Sequence, residues 1–180
     1  KYPAPPIEYL EARRLILQKP RQWLEASIKL EKNRAALVPW PELQQQSDIQ
    51  LGYCYKALGN PDLQLNAFRR AVSANPTLVQ ARLGVADALV ATNNVEGALR
   101  EYQEIVQLTA KVDVWLEVVR FMIMSNLRRK PEERSWETII AIQNQIGVEL
   151  EKSAEPVKKK KPRFTELAIL KAEVLFEKKE

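Results

Sequence analysis

Apolar residues recur along this chain at the three- and four-residue spacing of an α-helix. Prolines, asparagines and a glycine interrupt that spacing, and strand-type alternation is nowhere sustained. A first helix is expected over 6–17, with Leu10, Leu15 and Leu17 inward. It ends before Pro20, because proline cannot continue an interior helical turn. A second, over 20–37, accepts Pro20 in its first turn and turns Trp23, Ala26, Ile28 and Leu30 to the core, until Pro39-Trp40-Pro41 stops it. A third spans 41–58 with Ile49, Leu51, Tyr55 and Leu58. It closes at Gly59-Asn60, glycine being suited to the left-handed C-terminal cap. The fourth, over 61–74, buries Leu65, Phe68, Ala71 and Val72. The fifth, over 76–91, carries Val79, Leu83, Ala86 and Leu89, and the sixth, over 95–108, carries Ala98, Leu99, Tyr102, Ile105 and Val106. The seventh, over 112–128, presents Trp115, Val118, Val119 and Met122. After a turn over 129–135 the eighth, over 136–152, presents Ile139, Ile140, Ile142 and Ile146.

Residues 153–162 are flanked by prolines and hold four consecutive lysines, which predicts a basic linker. A last helix follows over 163–178 with Leu167, Leu170, Val174 and Leu175. A lone helix cannot bury its own apolar stripe. This one must pack back on the preceding helices or on sequence outside the chain.

The apolar skeleton repeats. Leu51, Gly52, Tyr55, Phe68 and Ala71 map onto Val85, Ala86, Leu89, Tyr102 and Ile105, each 34 residues later, and the loop Gly59-Asn60 maps onto Asn93-Asn94. A fixed period of that length with two amphipathic helices per unit is the signature of a helical solenoid. At these residues the chain resembles the tetratricopeptide repeat (TPR) family, whose pattern is W-x2-L-G-x2-Y, then A-x3-F, a further alanine and a proline. The second unit matches as Leu51, Gly52, Tyr55, Phe68, Ala71 and Pro76, with Asp48 in place of the tryptophan and Gln64 in place of the first alanine. The third gives Val85, Ala86, Leu89, Ala98 and Tyr102; the first shares Trp23 and Ala26, and the fourth has Trp115.

What the resemblance implies is an all-α, right-handed superhelix of antiparallel helix pairs. The expected units are 7–40, 41–75, 76–110 and 111–152, with 163–180 as a half-repeat or cap. The first helix of each pair would line a concave groove. By the family's phase the groove candidates are Ile49, Tyr53 and Lys56, then Gln80, Leu83, Asp87 and Val90, then Leu116, Arg120 and Ile123. This mixture of tyrosine, charge and aliphatics suits a peptide better than a phosphate backbone. Each of these residues also fits an ordinary solvated or inter-repeat role. The lysine/asparagine/arginine clamp of the chaperone-docking members is not matched. Tyr53 and Asp87 stand where asparagines are wanted, and a carboxylate at Asp87 would repel a peptide C-terminus.

Composition narrows the chemistry. The chain has 180 residues, 46% hydrophobic and 28% charged, which is enough for a sizeable core. There is no histidine, so the commonest general base and zinc ligand is missing, and the single cysteine, Cys54, excludes an intrachain disulfide and a thiolate cluster. No glycine-rich phosphate loop, metal-ligand cluster or nucleophile–base set stands out, so neither an enzyme nor a cofactor is expected. The carboxylate pairs Glu132-Glu133 and Glu149-Glu151 lie in polar, helix-terminal stretches unsuited to acid–base work.

The net charge of +5 is local, since without Lys158, Lys159, Lys160, Lys161 and Arg163 the charges balance. A nucleic-acid-binding array would carry its charge along a face, so a protein or peptide partner is expected ahead of nucleic acid. The lysine run could give only weak, salt-sensitive, sequence-blind binding. Arg128, Arg129 and Lys130, at the end of the seventh helix, complement its dipole. No apolar run is long enough to span a membrane, and a soluble chain is expected, with the cytoplasm slightly favoured. The opening at Lys1, with Pro3, Pro5 and Pro6, reads as a fragment or a processed chain. The expected function is a non-catalytic scaffold or adaptor holding a peptide or partner helix. A segment for self-association or docking within a larger protein is the second reading, and an RNA-associated helical repeat the third.

Overall fold

The computed structural model describes residues 4–178, and these contain α-helices and short 3-10 turns with no strand. The helices are α1 (Ala4–Leu17), α2 (Trp23–Arg34), α3 (Pro41–Ala57), α4 (Pro61–Ala74), α5 (Val79–Ala91), α6 (Val95–Leu108), α7 (Val112–Leu127), α8 (Glu137–Lys152) and α9 (Val157–Glu177). The chain divides into two compact units, Lys1–Ile105 and Val106–Glu180, the division falling inside α6.

In the first unit the short connections force successive helices antiparallel. Each helix from α1 to α4 packs on the next, and α1 with α3 and α3 with α5 also touch, the arrangement of stacked helix pairs. The turn chemistry repeats with the sequence. Gly59 (φ 69°) and Asn93 (φ 59°) take the left-handed conformation that ends α3 and α5. The amides of Asn60 and Asn94 then reach back to the carbonyls of Tyr55 (2.9 Å) and Leu89 (2.8 Å). The side chains of the same two asparagines accept from the amides of Leu63 (3.2 Å) and Gly97 (2.9 Å), capping the next helix in each repeat.

Phe68 of α4 is fully buried, and its ring lies against the backbones of α3 and α5. A Cβ placed on Gly52 or on Gly84 would come within 2.5 Å of that ring. Tyr53 meets the same ring edge-on, with centroids 5.4 Å apart. On the N-terminal side of the unit Tyr9, Ala12, Leu15, Ile16, Ala26, Leu30, Leu51, Cys54 and Ala67 form one buried cluster.

Several sequence expectations shift here. Leu10 (58% exposed) and Leu17 (70%) face outward, and Ile28, Leu58 and Leu175 are exposed as well. α1 uses the phase Tyr9–Ala12–Ile16 instead, because only one side of this helix is covered. α2 starts at Trp23 rather than at Pro20, since the Gln22 amide turns back to the Leu15 carbonyl (3.0 Å). α5 starts at Val79 rather than at Pro76, because the Asn75 side chain accepts from the Thr77 amide (3.1 Å) and hydroxyl (2.8 Å) and holds a turn there.

The second unit packs α7, α8 and α9 pairwise against one another around Trp115, Val118, Val119, Met122, Ile139, Ile142, Ile146, Leu150, Leu167, Leu170 and Val174. α9 begins at Val157, so Lys158–Lys161 and Pro162 are helical rather than a linker followed by a helix from Arg163. Pro162 is the sixth residue of α9, past the N–H groups a helix start leaves unpartnered, so it forfeits one interior hydrogen bond, to the Lys158 carbonyl, which its ring also crowds. Tertiary contacts hold the segment in place. Arg163 donates to both Asp113 oxygens (2.6 and 2.7 Å) and pairs with Glu155, and Lys160 donates to the Ser153 carbonyl.

The turn after α7 is also built. The buried Asn126 donates to the Ser135 carbonyl (2.9 Å) and accepts from the Ser135 amide (3.2 Å), and Arg134 reaches Glu177 (2.8 Å). Replacing Asn126 with alanine strips both bonds from that partly buried loop. The expected loss is about 1–3 kcal/mol, read by thermal or urea unfolding. Unchanged stability would mean that water satisfies the loop.

Candidate functional site

On α5, Gln80, Leu83, Asp87 and Val90 follow one helical stripe, and on α3 so do Ile49, Tyr53 and Lys56. The structure joins the polar members of the two helices. Gln80 donates to the Tyr53 hydroxyl (2.9 Å), and Lys56 pairs with Asp87 (2.9 Å). Gln64 of α4, the residue replacing an alanine of the TPR pattern, donates to the same Asp87 oxygen (2.8 Å). Tyr53, Lys56, Gln80 and Asp87 therefore form one self-satisfied polar surface, with Leu83 and Val90 half-buried beside it. Ile49 is fully buried and offers a ligand nothing.

Asp48, standing in the tryptophan position of the TPR pattern, is also buried. It accepts from Arg70 (2.6 Å), and Arg34 lies 3.3 Å from the same oxygen. Burial pushes its carboxyl up, with Arg70 and Arg34 opposing. This is a structural ion pair that ties α2, α3 and α4 together.

In the second unit the candidates lie on α7. Leu116 is buried in the core. Arg120 is exposed and pairs with Glu166 of α9, while Ile123 is buried like Leu116. Arg120 and Ile123 line an open cleft of about 880 Å³ between α7 and α9. Its floor is apolar, made by Ile123, Met124, Leu127, Ile169 and Leu170, and Met124 (49%) and Ile169 (55%) remain exposed within it. Lys158, Lys161, Glu166 and Glu173 stand at its edges.

The α9 side of this cleft was not among the sequence candidates. A signal existed: residues 158, 161, 162, 165, 166, 169, 170 and 173 recur at helical spacing. Treating 153–162 as a linker broke that stripe in two.

The remaining reactive group is quiet. Burial raises the Cys54 thiol to about 12, far from the range of an active nucleophile. Among the described residues no group of three or more His, Cys, Asp or Glu is placed to hold a metal ion, and no helix is long and apolar enough to cross a membrane.

No protein-family model matches the chain, and no curated protein matches it either. Among solved structures it is similar to a Podosopora anserina protein of nearly identical TPR-like repeats assigned to the kinesin light chains. The two share 16% identity over 94% of this chain and 95% of that one, with a TM-score of 0.51. A single-residue variant of that protein gives 15% identity over 97% of this chain and 99% of the other, again with a TM-score of 0.51. At such identity the likeness is one of fold, and the fold is all-α and TPR-like.

Proposed function

We propose that the chain is a non-catalytic interaction module that binds a peptide or helix of another protein, with the α7/α9 cleft as the part open to a ligand. One observation carries this reading: the candidate residue Arg120 borders a concave, apolar cleft whose accessible surface is supplied by Met124 and Ile169 above the buried Ile123. The candidates of the first unit fit a secondary role, because Tyr53, Lys56, Gln80 and Asp87 already satisfy one another. Helix pairs that leave an apolar groove between them suit helix-in-groove recognition.

Affinity capture from the native source, run beside Met124→Glu/Ile169→Glu, tests the proposal. Both positions are exposed, so the variant is expected to keep the fold, which circular dichroism checks. A protein held specifically by the parent chain and released by the variant is expected. Partners held equally by both would remove the cleft as the site.

Self-association is a second reading, favoured by the exposed Leu10, Leu17, Leu24 and Ile28 on α1 and α2. A mass by light scattering that stays monomeric at every concentration would exclude it.

A further inference from the structure

We propose that the α7/α9 cleft docks an amphipathic helix bearing carboxylates at one end, an inference that rests on the protein-binding reading above. The geometry suits a helix. Asp113 meets Arg163, Arg120 meets Glu166, and Arg134, just beyond α7, meets Glu177, so α7 and α9 run in the same direction. Each contributes a stripe at helical spacing, residues 120, 123, 124 and 127 from one and 158 to 173 from the other. At about 1.5 Å per residue the longer stripe reaches roughly 22 Å, matching a partner helix of about four turns. The apolar floor supplies the burial, and Met124 and Ile169 are the side chains with the most surface still to lose.

Charge selects the partner. Among the described residues no ion pair engages Lys158 or Lys161, whereas Arg120 is matched by Glu166. The two lysines lie three residues apart in the opening turns of α9, where like charges repel and the helix dipole is already positive. Carboxylates there are favoured on all three counts. At the opposite end Glu173 disfavours them, so the acidic end of the partner lies over Lys158 and Lys161. A nucleic acid would leave the apolar floor unused and place phosphates against Glu166 and Glu173.

The test is a display library of helical peptides carrying leucine at positions i, i+3, i+4 and i+7, with the flanking positions varied among Glu, Gln and Lys. It is selected on the full chain, and circular dichroism checks that each variant is folded. Glutamate should be enriched over lysine at one end by about tenfold or more. Lys158→Glu/Lys161→Glu should reverse that preference, and Met124→Glu/Ile169→Glu should abolish selection. Equal selection of both charges overturns the inference, as does a preference that survives the charge swap. A short duplex or single-stranded RNA that binds more tightly than any selected peptide, and is lost with Lys158→Glu/Lys161→Glu, also overturns it. If a native partner is released by Met124→Glu/Ile169→Glu while the library shows no glutamate preference, the acidic-helix inference falls and the protein-binding reading stands. If no peptide is selected and no partner is captured, both fall.

Discussion

Phe68→Ala should cost about 3–5 kcal/mol, the range for emptying a fully buried aromatic site, and should unfold much of the first unit at moderate temperature. The ring is wholly buried between the Gly52 and Gly84 backbones and touches Tyr53, so one truncation loosens α3, α4 and α5 together. Helices in a stack rely on their neighbours for burial, and the loss is not confined to one of them. Gly84→Ala separates packing from propensity. Alanine in mid-helix would gain about 1 kcal/mol over glycine. Its Cβ, however, would lie 2.5 Å from Phe68, and relieving that overlap typically costs about 1–3 kcal/mol. Net destabilisation is expected, and it should shrink when Phe68→Leu is combined with Gly84→Ala, because the two sites share one space. Both are read by thermal unfolding followed by circular dichroism. A more stable Gly84→Ala would mean that the Phe68 ring makes room for the added methyl at little cost.

The same residues explain how far the fold was legible in the sequence. The repeat at Gly59-Asn60 and Asn93-Asn94 was visible because turn chemistry is local: a left-handed residue followed by a capping asparagine needs no tertiary information. Phe68 and Tyr102 were legible as core because they sit in phase on strongly amphipathic helices. Which leucines of α1 face inward was not legible. Here α2 and α3 cover one side of α1, and the periodicity of Leu10 and Leu17 alone cannot say which side. The start of α9 was missed for a related reason. Four lysines and Pro162 argue locally against helix, and contacts from Arg163 to Asp113 and Glu155 and from Lys160 to Ser153 place that segment. Long-range ion pairs leave no trace in local pattern.

The candidate surface was legible in parts. Helical phase brought Tyr53, Lys56, Gln80 and Asp87 to one place, as the structure does. Phase could not reveal that these four neutralise one another, nor that Ile49 and Leu116 are sealed in the core. A surface that satisfies its own hydrogen bonds gains little by exchanging them for a ligand's. An apolar cleft with uncompensated lysines gains on both counts, which is why the weight moves to α7 and α9.

Cys54 offers the other large effect, because it reports on the opening of the first unit. The thiol is completely buried among α1–α4, and burial raises it from an ordinary value of 9.0 to about 12. At pH 8 a thiol titrating near 12 holds roughly a thousandfold less thiolate than one titrating near 9, and the thiolate is the attacking species. A thiolate of higher pKa is also the stronger nucleophile, which recovers about half of that deficit on a logarithmic scale. Native-state reaction with a disulfide reagent should therefore be slower than in denaturant by roughly 30-fold or more from ionisation alone, before access is considered. What reaction remains should pass through unfolding and accelerate in Phe68→Ala. The sign of the pH effect follows from the same shift. Above pH 9 the unfolded chain releases the Cys54 proton while the folded chain keeps it, so this contribution to stability is whole well below pH 9 and is lost as pH rises toward 12. The steepest slope is about 1.4 kcal/mol per pH unit. Tyr55, raised from 10.0 to about 12 by burial and then by the neighbouring Glu31 charge, adds to the decline above pH 10. Cys54→Ala should flatten the slope most, as a share of the whole, between about pH 8 and 9, where the unfolded thiol (9.0) titrates ahead of the Tyr55 phenol (10.0). Rapid labelling of the folded chain at pH 8, or a Cys54→Ala profile that falls as steeply as the parent's, would mean that the thiol is open to water and the α1–α4 core is looser than its packing implies.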